Sequence, residues 1–340
     1  MLISTITFAY ITIISSWIIA FVLIFGVILE DSPNERFPGI QLRLVRWTRA
    51  QRALLDRILA QVLGHRIHSR LQSLGLYCSS QRNPILPILY IVIMQIILIA
   101  SVLFCLPFMD SIPKIWFVCL YTACMYTFTR CWKSSPGVIN KFNHAACMEY
   151  YQYDHTMFQP GSLCRTCHIE KVARSKHCRY CNVCVARFDH HCVWVNNCIG
   201  ANNIGRFISF LLIKSISCVY MIILVGYIIM EIIDEKGLLT RRLITATGQV
   251  IPNSWLNITR YLIGHHSQLV VLFLFMVPTT VFISGFTLYH IKLLLSNTTT
   301  NESLKLEHMK KGTSSFYFDA YGKDVYSNVR ETLTAKFSVK

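Results

Sequence analysis

Apolar runs too long for the core of an ordinary soluble domain recur along this 340-residue chain. Five stand out: Leu2 to Leu29, Ile85 to Met109, Ile112 to Thr129, Phe207 to Ile233 and Leu269 to Leu295. A hydrocarbon layer of about 30 Å asks for about 20 apolar residues in a helix. With 53% apolar residues overall, the expectation is an all-α polytopic membrane protein of about five transmembrane helices. The third run is short and studded with Thr and Cys. The first lacks a basic n-region and a small-residue cleavage site, so it reads as an anchor rather than a removed signal peptide.

The net charge of +16 is distributed by topology. Nine arginines lie between Arg36 and Arg82 against four acids from Glu30 to Asp56. The segment from Lys133 to Arg206 and the tail after Lys305 are also basic, whereas 234–268 is the least biased of the long connections. The positive-inside rule then places 30–84, 133–206 and 296–340 in the cytosol and the 234–268 loop in the lumen. The expected organisation is an anchor at 1–29, a basic amphipathic segment at 30–84 and two helices within 85–132. A cytosolic Cys-rich domain follows at 133–206, then helices at 207–233 and 269–295 flanking the lumenal loop. Because the charge flanks bilayer spans, nucleic acid is rejected as a partner. A transporter would want ionisable groups inside the spans. The clear candidates, Lys214 and His290, lie near cytosolic ends, where snorkelling explains them.

Seven of the fourteen cysteines fall between 164 and 198, interleaved with His177, His190 and His191. Cytosolic cysteines read as metal ligands or catalytic thiols rather than disulfides. The segment has few long apolar runs, so short hairpins stapled by metal are expected. Cys164-x-x-Cys167 and Cys178-x-x-Cys181 are metal-knuckle spacings, and mixed Cys and His donors suit zinc. An iron–sulfur cluster would prefer cysteines alone. Cys164-Arg165-Thr166-Cys167-His168 spells a haem-attachment motif, but the neighbouring cysteines demand another explanation. Two tetrahedral ions would consume eight of these ten side chains, leaving one thiol and one imidazole, the raw material of nucleophilic catalysis. Spacing alone leaves open which two are spare.

Asp189-His190-His191-Cys192, followed by Val193-Trp194-Val195-Asn196-Asn197-Cys198-Ile199-Gly200, resembles the DHHC cysteine-rich domain of protein S-acyltransferases (palmitoyltransferases), over residues 164 to 206. Thr299-Thr300-Asn301-Glu302 is similar to the family's Thr-Thr-x-Glu motif, and the tail around Tyr317 to Asn328 to its aromatic and Asn-containing motif. Ser135-Pro136-Gly137 stands where the family usually has Asp-Pro-Gly. The resemblance implies one zinc on Cys164, Cys167, His177 and Cys184 and another on Cys178, Cys181, His191 and Cys198. It leaves Cys192 as nucleophile, with His190 as base and Asp189 orienting the imidazole. Acyl-CoA, in particular palmitoyl-CoA, is the implied co-substrate, with cysteines of membrane-associated proteins as acceptors, on an endomembrane such as the endoplasmic reticulum or Golgi. Trp194 is expected to wall the acyl-chain pocket, and Thr300 and Glu302 to support the site. Arg174, Lys176, Arg179 and Arg187 are candidates for holding CoA phosphates. The rival reading is a non-enzymatic membrane scaffold whose zinc module binds partners; it has no need of a free Cys192 beside His190.

Overall fold

The computed structural model describes residues 64–240, 243–244, 250–310 and 321–334, with scattered positions between 54 and 62. The expected span at 2–29 and most of the 30–84 amphipathic segment lie outside the described residues. Contacts divide the chain into two units, 1–77 with 259–267, and 78–258 with 268–340. In the first, helix α1 (His65–Ser80) begins. The second holds everything described below except most of the helix Trp255–His265 and the first residue of the helix Ser267–Leu295.

Three described helices are long and apolar enough to cross a membrane: α2 (Ile85–Phe104), the 32-residue helix Ile204–Glu235, and Ser267–Leu295. The expected span at 112–129 forms as a helix, α3 (Ser111–Trp132), but is not among these three. Its polar residues are accommodated locally. Thr122, Thr127 and Thr129 each return their hydroxyl to the carbonyl four residues earlier at 2.8 Å, which removes an unsatisfied donor from an apolar setting.

The chain then leaves the helices for short strands. β1 (Val138–Ile139), the helix α4 (His144–Tyr150), β2 (Lys176–Cys178) and β3 (Val183–Val185) come first. β4 (His190–Cys192) and β5 (Asn197–Ile199) follow, before the helix Ile204–Glu235, here α5. β3 pairs antiparallel with both β1 and β2, and β4 pairs with β5. Beyond α5, β6 (Leu243–Ile244) pairs with β7 (Val250–Ile251), and α6 (Trp255–His265) leads to α7 (Ser267–Leu295). Two further helices, α8 (Thr300–Lys310) and α9 (Val325–Thr334), close the described chain.

One apolar core joins α2, α3 and α5 to the β4–β5 hairpin. Phe128 and Phe207 are almost fully buried there, Tyr90 stacks on Phe128 at 4.2 Å, and Cys192, Val195 and Ile199 pack on the same cluster. Asn197 fastens the hairpin to the end of α3. Its side-chain amide donates to the carbonyls of Trp132 at 3.2 Å and Ser134 at 2.6 Å, satisfying acceptors that a helix terminus leaves open. On the other side of the turn, Asn196 accepts from the backbone N–H of Asn83 at 3.0 Å and from Arg82 at 3.2 Å. Gly200 is where the backbones come closest: a Cβ there would lie 2.6 Å from the Pro136 carbonyl oxygen and from Val185.

Candidate active site

Strand alternation explains how neighbouring residues serve different ends. Successive side chains of a strand point to opposite faces. In β2, His177 and Cys178 therefore diverge, and in β4 His191 turns away from the face shared by His190 and Cys192. Register does the rest, pairing His177 with Cys184 and His191 with Cys198 across the two ladders. Cys164, Cys167, His177 and Cys184 converge in one cluster and Cys178, Cys181, His191 and Cys198 in another.

Both clusters have the donors and dimensions of a metal site. In the first, the sulfurs lie 3.5, 3.3 and 3.8 Å from His177 Nδ1. In the second they lie 3.7, 3.4 and 3.6 Å from His191 Nδ1. A tetrahedron with metal–sulfur bonds of about 2.3 Å and metal–nitrogen bonds of about 2.0 Å has edges of about 3.5 Å. Two sets of four soft donors at those separations can each hold one metal ion. His168 is exposed and joins neither.

Cys192 and His190 are left on the opposite face of β4. Cys192 neighbours the His190 imidazole closely enough to favour its protonated form. On its other side, His190 Nδ1 lies 2.6 Å from Asp189 Oδ2. Asp189 is buried and also accepts from the Thr300 backbone N–H at 2.8 Å and the Thr300 hydroxyl at 2.9 Å. Burial alone would raise the Asp189 pKa, but the hydrogen bond and charge of His190, with the donors around it, hold it down at about 2. Burial likewise works to lower His190, and is outweighed by the bonds and charges of Asp189 and Cys192, which push it up to about 10. The pair is built to hold an imidazolium beside a carboxylate.

Thr299-Thr300-Asn301-Glu302 does more than pack. Thr299 and Glu302 form a reciprocal capping box at the start of α8: the Thr299 N–H donates to Glu302 at 2.9 Å, and the Glu302 N–H to the Thr299 hydroxyl at 3.2 Å. This cap orients the Thr300 N–H toward Asp189. Glu302 also accepts two bonds of 2.7 Å from the fully buried Arg174. Burial opposes its ionisation, yet Arg174 holds its carboxyl below the ordinary value. Asn297 binds Arg174 and Arg187, Arg187 reaches Thr332 of α9 at 2.8 Å, and Tyr321 lies over the Arg174 guanidinium at 4.5 Å.

This arrangement corrects two expectations. Arg174 and Arg187 are 0% and 2% exposed and bound inside the protein, so they are no part of a phosphate-holding surface; Lys176 and Arg179 are exposed. His290 does not snorkel either. It is 2% exposed and packs beside His190 and Phe207. Lys214 points into the helices, with Nζ 3.1 Å from the Met94 sulfur and near the Tyr90 ring. Trp194 follows Cys192 on the hairpin turn and is 36% exposed. Ser135, in place of an aspartate, accepts a long bond of 3.4 Å from the Gly137 N–H, a weak version of an aspartate turn.

A bundle with three apolar helices, a strand-built module of two four-donor clusters that could each hold a metal, and a thiol–imidazole–carboxylate line beside it fit a membrane protein with a thiol site. Residues 157–307 match the family model described as DHHC palmitoyltransferase, and this segment is similar to the DHHC-type family. It is 36% identical over 179 residues to Palmitoyltransferase SWF1 of Neurospora crassa, covering 51% of this chain and 42% of that protein. It is 29% identical over 177 residues to Palmitoyltransferase ZDHHC4 of Rattus norvegicus, covering 52% and 51%. The Bos taurus protein of the same name is 34% identical over 178 residues, covering 52% of each. The matched segment thus spans about half the length of these curated relatives.

Proposed function

We propose that the protein is a protein S-acyltransferase. It moves a long-chain acyl group, in particular palmitoyl, from acyl-CoA through a Cys192 acyl-enzyme to cysteine thiols of membrane-associated proteins. One observation carries this reading: Cys192 is the cysteine of the 164–198 segment that belongs to neither four-donor cluster, and it neighbours the imidazole that Asp189 holds.

The steps follow from that line of groups. His190 takes the proton of the Cys192 thiol, and the sulfur attacks the thioester carbonyl. CoA leaves as a thiol, receiving the proton back from His190 as the acyl group bonds to Cys192. In the second step His190 accepts the proton of the acceptor thiol, whose sulfur displaces Cys192, and the proton returns to Cys192. Asp189 balances the imidazolium and fixes its Nδ1 as donor. The two Cys and His clusters would hold zinc, which supplies folding energy by pinning both hairpins.

The membrane setting supports a lipid donor, since each buried CH₂ contributes about 0.8 kcal/mol. An apolar cleft lined by Met94, Phe117, Tyr121, Cys124, Met221 and Met276 lies deeper among the helices, and could receive the far end of the chain. Cys192 does not line it. Along α3 and α5, Phe128 and Phe210 come between the cleft residues and the hairpin, so the tail would have to displace aromatic rings. Trp194 remains a candidate wall at the carboxyl end. The same reading takes 2–29 and α3 as the remaining spans of five, with the thiol on the cytosolic side of an endomembrane.

Incubation of the detergent-purified chain with palmitoyl-CoA tests the activity. Hydroxylamine-labile label on the peptide carrying Cys192, and its chase onto a cysteine peptide, is the expected result. No label there sinks the proposal.

A further inference from the structure

His290 is an imidazole the acylation cycle does not use. It sits near the C-terminal end of α7, buried to 2% exposure. Its ring centre is 5.7 Å from that of His190, 5.1 Å from Phe207 and 4.6 Å from Phe286. One of its nitrogens lies within 4.8 Å of both an Asp189 carboxylate oxygen and a His190 ring nitrogen.

Three such donors invite a metal, but the geometry speaks against one. The 2.6 Å separation between His190 Nδ1 and Asp189 Oδ2 is a hydrogen bond. Two ligands of one tetrahedral zinc would stand about 3.3 Å apart. The arrangement fits a polar pair with a third group beside it.

Asp189 takes bonds from Thr300 and His190 on named sides. Phe207 meets both imidazoles edge-on, at 5.2 Å from His190 and 5.1 Å from His290. His190 thus has Asp189 on one nitrogen, Cys192 on its other contact, and Phe207 and His290 against its ring. Of these neighbours, His290 alone comes from α7, and it carries a polar atom toward the carboxylate as well as a ring against the imidazole.

We propose that His290 is a positioning residue for the Asp189–His190 pair, holding the imidazole ring in place from α7 and supplying a further polar neighbour to the Asp189 carboxylate. The inference rests on the reading of Cys192 as nucleophile. Its consequence is selective: His290 packs on the Asp189–His190 pair beside Phe207, so its loss is expected to misalign proton transfer without weakening donor binding.

The test uses the full chain in detergent, with palmitoyl-CoA varied and bound metal measured on each variant. His290→Phe keeps a flat ring and removes the nitrogens; His290→Gln keeps an N–H on a flexible stem. The Phe variant should keep its metal and its KM for palmitoyl-CoA while kcat for Cys192 labelling falls by about ten- to a hundredfold, the scale of a misplacement of about 1 Å. The Gln variant should recover a substantial part of that loss. If His290→Phe loses metal, His290→Met takes its place with the same expectation. A kcat within about twofold of wild type in the metal-replete variant overturns the inference, as does an equal fall in the Phe and Gln variants. Wild-type protein that takes no label on Cys192 overturns the acyltransferase reading instead, so the two failures are distinct.

Discussion

Thr300 donates twice to Asp189, through its backbone N–H to Oδ1 at 2.8 Å and through its hydroxyl to Oδ2 at 2.9 Å. The same Oδ2 takes the 2.6 Å bond of His190. A segment just beyond α7 therefore sets the carboxylate that sets the imidazole beside Cys192. Changing the Thr300 hydroxyl separates the two contributions. Thr300→Val keeps the backbone bond and should lower the rate of Cys192 acylation by about ten- to a hundredfold, the weight of one charge-assisted hydrogen bond. Thr300→Ser should stay close to wild type. Equal rates in all three proteins would remove the hydroxyl from the account.

The Arg174–Glu302 pair is a stability element. Its side chains are 0% and 3% exposed, so either partner alone is a charge without solvent. Glu302→Gln or Arg174→Met should destabilise the protein by about 3–5 kcal/mol, because a buried charge is left without its closest partner. Glu302→Gln also weakens the capping box that presents Thr300. A lowered thermal midpoint in detergent is the expected reading. The double variant should lose less than the sum of the single losses, since neither charge is stranded.

How much of this was open to inspection in the chain depends on the kind of contact. The Cys-x-x-Cys spacings announce metal because two ligands from one tight turn are a local fact. The alternation of His190, His191 and Cys192 is local too, once they are known to lie on a strand. Thr-x-x-Glu at 299–302 is equally a local capping-box pattern, more specific than a general supporting role. Arg174 and Arg187 misled because charge alone says nothing of burial: what buries them is Glu302, Asn297, Tyr321 and Thr332, more than a hundred residues away. His290 resembled a snorkelling residue for the same reason, its partner being a strand in another part of the chain.

Gly200 offers a test of the backbone crossing. A methyl group there would meet the Pro136 carbonyl oxygen and Val185 at 2.6 Å and the Ala186 carbonyl oxygen at 2.9 Å. Two of these are backbone atoms and cannot swing aside. Gly200→Ala should cost about 1–3 kcal/mol, the range for overpacking, and separate the β1–β3 edge from the β4–β5 hairpin. Greater protease sensitivity between 133 and 206 would show it; unchanged digestion and unfolding would refute the close approach.

The central claim is that Cys192 does chemistry while its neighbours in sequence hold metal. Metal analysis and acyl labelling of purified Cys192→Ser, beside His191→Ala, tests it most directly. Ligand loss removes folding energy, on the order of 10 kcal/mol for zinc in small modules, so His191→Ala should lose about one metal per chain, stability and label together. Cys192→Ser should keep about two metals per chain and wild-type stability, and carry no hydroxylamine-labile acyl group. A Cys192→Ser protein that loses a metal, or that still takes the label, would contradict the account.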